Sequence, residues 1–141
     1  MKIRTAVFAL SITALAQALP AAEQADPRIA LPMSPAEKAE FLSEMRQMLA
    51  SIQGIIEGIA EEDREKIAKA ARYSGNRMAR ATPDALRQRL PVEFQELGGP
   101  THMMFEEMVI RAQDDDMQTL TEFTSELMQQ CLACHARYRA D

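Results

Sequence analysis

Residues 116–139 read DMQTLTEFTSELMQQCLACHARYR. Met117, Leu120, Thr124, Leu127, Cys131, Cys134 and Tyr138 step alternately by three and four, the spacing of a seam along one face of a bundled helix. The spacing predicts a helix over about 116–139. It puts both cysteines on the seam, and His135 follows the second of them directly. These are the only two cysteines in 141 residues, and one of only two histidines stands beside them.

Working outward, the rest of the chain also reads as helix. Trp is absent, aromatics are 5%, Gly is scarce at 5, and Met is abundant at 10. Ser34, Pro35 and Glu37 form a capping signature, with an N-cap, a proline at the first helical position and a reciprocal acid. Leu42, Met45, Leu49, Ile52, Ile56 and Ile59 then continue in steps of three and four, widened by Phe41, Met48 and Ile55. A first helix over about 35–60 follows, with that stripe inward. The acids of EEDREK (61–66) suit the start of a second helix, where the dipole favours negative charge. It is expected to run to about Arg80 on a thin face of Ile67, Ala70, Ala71, Tyr73 and Met78. Thr82 and Pro83 open a short helical turn. Gly98-Gly99-Pro100 is the strongest breaker in the chain, so a third helix is expected from about Thr101 to Ala112. DDD at 114–116 marks the last junction. No useful strand-like alternation appears. The expected fold is all-α: an antiparallel four-helix bundle in up-down-up-down order.

Residues 1–22 stand apart. MKIR supplies two positive charges, an apolar stretch of about fifteen residues follows, and small residues come next. That is the layout of a secretory signal peptide, too short for a comfortable membrane span. The expected organisation is a signal peptide over 1–22 and one domain over 23–141, exported and not stably inserted in a membrane. A formal net charge of −5 with no basic stripe argues against nucleic acid.

Cys131 and Cys134 leave the same helix face, and His135 lies four residues beyond Cys131. Two thiols so placed can bind the two vinyl groups of a haem while the imidazole ligates its iron. C-x-x-C-H is the attachment pattern of c-type haem. A redox dithiol uses C-x-x-C in a βαβ context that is not visible here. A structural zinc site needs four ligands, and His102 is the only other plausible one. A disulfide between helical residues three apart is strained and closes almost no loop.

With an export signal, a four-helix pattern and CLACHARYR over 131–139, the chain resembles the class II c-type cytochromes, the cytochrome c-prime family, whose ending is C-x-x-C-H-x-x-Y-R. The resemblance implies one covalent haem c, with Cys131 and Cys134 as its attachment points and His135 as its proximal ligand. It implies a periplasmic location and, in six-coordinate members, single-electron transfer with a redox partner, without substrate or turnover. Five-coordinate members bind diatomic gases, nitric oxide above all, which is the alternative function. The family's distal residue lies about seventeen residues before the acidic turn after the first helix. Counting back from Glu62 reaches Met45, a seam position by periodicity as well. Met45 is therefore the expected sixth ligand, with Met48 one turn away, and its thioether would raise the reduction potential. Where the family often has an arginine near a haem propionate, this chain has Phe41. Arg46, Arg137 and Arg139 are the candidate substitutes for that charge. Arg137 and Arg139 read first as a solvated cluster at a helix C-terminus, and His102 as a surface histidine at a helix start. Pairing into a homodimer stays open.

Overall fold

The computed structural model describes residues 25–141. The expected signal peptide over 1–22 lies outside the described residues. Within them the order is β1 (Ile29–Ala30), α1 (Pro35–Ala60), α2 (Arg64–Arg72), α3 (Asn76–Ala81), α4 (Asp84–Arg87), α5 (Val92–Asp114), α6 (Met117–Arg137) and β2 (Tyr138–Arg139). The protein is mostly helical.

The ends of α1 follow the sequence. Ser34 Oγ accepts from Glu37 N at 3.3 Å and Glu37 Oε2 accepts from Ser34 N at 2.8 Å, so the capping box is closed. After Ala60 the chain reverses through Glu62, the only non-glycine residue with positive φ among the described residues (55°). Asp63 then caps α2 by accepting from Lys66 N at 2.9 Å. In α6, Asp116 plays the same part for Thr119 N at 2.8 Å.

The inward face of α1 differs from the expected stripe. Leu49 and Ile56 are exposed, while Met48, Ser51, Ile52, Ile55 and Gly58 are buried. The cause is close approach by α2. A Cβ on Gly54 would stand 2.8 Å from Ala70 Cβ, and one on Gly58 2.7 Å from Ile67 Cγ1. The line Ser51–Gly54–Gly58 therefore receives α2, which turns the helix away from the Leu49–Ile56 edge. Small residues carry no hydropathy signal, so the stripe counted from apolar residues alone is displaced.

The second helix does not reach Arg80 unbroken. It stops at Arg72 and resumes as α3, leaving Tyr73 exposed rather than on the inward face. Two side chains on neighbouring turns of α5 hold this break. His102 Nδ1 donates to the Ser74 carbonyl at 2.7 Å, and Glu106 Oε1 accepts from Asn76 N at 2.8 Å, serving a donor at the start of α3. Ser74 is buried, with its Oγ 2.8 Å from Ser51 Oγ.

Gly98-Gly99-Pro100 does not break the third long helix, which begins at Val92 and runs through it. Proline removes one donor and crowds the carbonyl four residues back. That carbonyl belongs to Glu96, an exposed residue that water can serve. Thr101 Oγ1 donates to the Leu97 carbonyl at 2.7 Å, and Cβ atoms on the two glycines would meet nothing within 4 Å.

α1 packs on α2 and α6, and α5 packs on α2, α3 and α6. Their shared core contains Ile55, Ile67, Phe105, Met108, Leu120 and Leu127, all fully buried or nearly so. A second cluster of Leu31, Leu86, Leu90, Phe94 and Tyr138 caps one end. β1 and β2 pair in parallel there, Ile29 with Tyr138 and Ala30 with Arg139. Phe94 meets Tyr138 edge-on at 5.2 Å between ring centroids and Phe41 at 6.0 Å.

Candidate functional site

Between the two clusters lies a cavity of about 690 Å³. Its walls draw on both, with Met48 and Ile52 from the core and Leu86, Leu90 and Phe94 from the cap. Cys131, Cys134, His135 and Met45 all line it. The periodicity of α6 accounts for the first three. Leu120, Phe123, Thr124 and Leu127 are buried and fix the rotation of the helix, so its next turns carry the thiols to the cavity edge. Met45 is half-buried on α1 and packs against the core. Met48, the neighbouring candidate, is buried within it.

Both cysteines are free, half-buried thiols. Burial raises the pKa of each, and for Cys134 the neighbouring Cys131 adds to the effect. Cys131 Sγ lies 3.7 Å from the Leu127 carbonyl, one turn back on its own helix. Thiols held neutral in this way differ from a reactive redox dithiol, which relies on a lowered pKa. No three or more His, Cys, Asp or Glu side chains are grouped to hold a metal ion among the described residues. Cys131, Cys134 and His135 therefore do not converge on one point, as a zinc site requires. All three stand on α6 and line the same cavity. The cavity falls in the usual range for small-molecule and cofactor sites, about 300–1,000 Å³. On volume and wall chemistry, these residues fit a haem.

The backbone behind His135 is tied down. Arg28 Nη1 donates to the His135 carbonyl at 3.3 Å, and Arg139 Nε to the Arg28 carbonyl at 3.0 Å. The segment before α1 thus straps the end of α6. The guanidinium of Arg137 lies 5.6 Å over the Tyr138 ring, and Arg139 pairs with Asp141, so neither lines the cavity. Of the substitutes for the missing arginine, only Arg46 lines it.

His102 corrects the sequence reading. It lies inside α5, half-buried and on the cavity wall, rather than at a helix start on the surface. A carbonyl can only accept, so the contact with Ser74 puts a proton on Nδ1 and leaves Nε2 free in the neutral ring. Reading Gly-Gly-Pro as a break had hidden this, and no local signal reveals it. Sequence reasoning also missed Arg87 on α4. Its Nη2 donates to the carbonyls of Thr82 at 3.0 Å and Ala79 at 3.3 Å, and it too lines the cavity. Glu37, Glu40 and Glu44 complete the charged lining, all from α1.

No helix among the described residues is long and apolar enough to cross a membrane. Comparison of the chain with protein-family models, with curated proteins and with solved structures finds no match in any of the three.

Proposed function

We propose that the chain is a c-type cytochrome of class II, exported to the periplasm, that carries one covalent haem and transfers single electrons with a partner protein. The observation that carries this reading is the common cavity. Two free thiols one helical turn apart, the imidazole next to them and a thioether from another helix all line it. The closed ring of contacts α1–α2–α5–α6–α1 supports the finer reading of the fold as an up-down-up-down four-helix bundle, with α3 extending α2.

Cys131 and Cys134 would hold the haem by thioether bonds, and His135 and Met45 would ligate its iron. Bound there, the haem supplies a one-electron iron couple. Leu86, Leu90 and Phe94 keep water from that pocket, and Phe41 closes over Phe94. The Arg28 strap fixes the backbone turn that presents His135. That Met45 lines the cavity and packs against the core supports thioether ligation, and with it electron exchange over gas capture.

Acid–acetone treatment of the purified exported protein tests the reading. Colour should stay with the polypeptide, and the Cys131→Ala, Cys134→Ala double variant should release it. A colourless protein, or colour that extracts from the unaltered chain, rules the reading out.

A further inference from the structure

The acids lining the cavity all belong to α1, whereas its two arginines come from different elements, Arg46 from α1 and Arg87 from α4. Arg46 is exposed and shares its helix with those acids. Arg87 is held in place by neutral groups, the carbonyls of Ala79 and Thr82. Carbonyls orient a guanidinium without cancelling its charge. Its nearest acid is Asp84, whose Oδ1 stands 3.8 Å from Nε with a side chain 92% exposed. Nε itself is buried and has no hydrogen-bond partner, and Nη1 makes no hydrogen bond among the described residues. The enclosed Nε does not open on the cavity, which leaves Nη1 as the donor free for a ligand there, and arginine is suited to recognition of a carboxylate.

We infer that Arg87 binds a carboxylate of the ligand that fills this cavity. This rests on the haem reading, under which the carboxylate is a propionate. A haem carries its two propionates on the edge away from its vinyl groups. Attachment at Cys131 and Cys134 on α6 therefore directs the carboxylates toward other elements, and α4 supplies the anchored cation. The aromatic packing of Phe41 on Phe94 leaves no cation at that position of α1. Arg87 fills the role from a different part of the chain.

The test uses the haem-loaded protein with three substitutions: Arg87→Gln, Arg46→Gln and Asp84→Asn. Resonance Raman reports the propionate bending band, which rises with hydrogen bonding, and voltammetry reports the reduction potential. Arg87→Gln should lower both, because a hydrogen bond and a positive charge near the haem are lost together. Arg46→Gln should leave the band in place. Asp84→Asn alters only an exposed carboxylate, so it keeps the fold even if Arg87→Gln does not. It should move the band and the potential upward by freeing more of the arginine for the propionate. A band unmoved by Arg87→Gln and Asp84→Asn, or one that moves with Arg46→Gln instead, overturns the assignment and leaves the haem reading standing. A protein that carries no haem overturns both.

Discussion

Replacing Gly58 with alanine tests the contact that sets the rotation of α1, and with it which side of that helix faces the cavity. An alanine in an unobstructed helix interior gains about 1 kcal/mol over glycine. Here the new Cβ would stand 2.7 Å from Ile67 Cγ1, 2.9 Å from Ile67 N and 3.2 Å from the Asp63 carbonyl oxygen. Carbon atoms pack best at about 3.5–4.0 Å, so the first turn of α2 must retreat by roughly 1 Å. Two of the three obstacles are backbone, so no change of rotamer relieves them. The retreat strains the bond from Asp63 N to the Gly58 carbonyl, now 2.8 Å, and loosens Ile67, which is fully buried. Overpacking of this kind costs about 1–3 kcal/mol, and a weakened hydrogen bond about 1 kcal/mol more. Set against the helical gain, the expected net loss is about 2 kcal/mol, or roughly 8 °C in Tm for a domain of this size. Thermal and urea unfolding followed by circular dichroism measure it. Gly54 supplies the control, because its obstacle is a single side-chain atom, Ala70 Cβ at 2.8 Å. Gly54→Ala should therefore be rescued by Ala70→Gly, while Gly58→Ala should not be rescued by Ile67→Ala. A Gly58→Ala variant as stable as the parent, or more stable, would refute the packing of α1 on α2 described above.

The remaining predictions concern the site. Met45→Leu nearly conserves volume at a half-buried position, so it should cost less than about 1.5 kcal/mol. It should nevertheless abolish the weak red charge-transfer band of ferric thioether ligation, leave high-spin iron and speed carbon monoxide binding; a parent protein already high-spin would instead favour gas binding. His135→Ala should lose the native haem spectrum. His102→Ala should keep it while losing about 1 kcal/mol with the hydrogen bond to the Ser74 carbonyl, and the opposite spectral pattern would exchange the two assignments. Burial, helped by the nearby Glu40, raises the pKa of Glu44, so the folded state disfavours its charged form. That penalty grows as pH rises through the unfolded value of about 4.3 and is complete above the raised folded value. Glu44→Gln should therefore stabilise the protein at pH 7, by less than about 1 kcal/mol after solvent screening, and the gain should disappear below about pH 4 in unfolding curves run across pH.

The parts of this fold that were legible in the sequence are those whose physics is local. Ser34 and Glu37 close a capping box within four residues, and α1 begins and ends where the pattern put it. Asp63 and Asp116 cap the next turns of their own chain. The seam of α6 is anchored by Leu120 and Leu127, both fully buried, so counting apolar residues gives the right face as far as Cys134, while Tyr138 lies past the helix in β2. The α1 face was displaced because Gly54, Gly58 and Ser51 make a close contact through the absence of side chain. The break at Ser74–Gly75 is held from α5, by His102 and Glu106, at separations of 28 and 30 residues. Gly98-Gly99-Pro100 misled for the converse reason. Its local preference is for a turn, and the packing of α5 on α2, α3 and α6 outweighs it.

The same division runs through the candidate site. Cys131, Cys134 and His135 follow from one helix and its period, and Met45 follows from another helix with a family register added. The wall that completes the cavity has no such signature. Arg87 comes to it only because α3 ends at Ala81 and offers the carbonyls of Ala79 and Thr82. α3 begins where it does because α5 reaches across to Ser74 and Asn76. α5 can reach across only because it starts at Val92 and continues through Pro100, which sets His102 and Glu106 on successive turns. Three unread features are thus one chain of cause. The helix that ignores its breaker holds the interruption of α2, and the interruption delivers Arg87 to the cavity wall. A sequence reading that stops at Gly98 finds Cys131, Cys134, His135 and Met45 and loses Arg87 on the other side of the cavity.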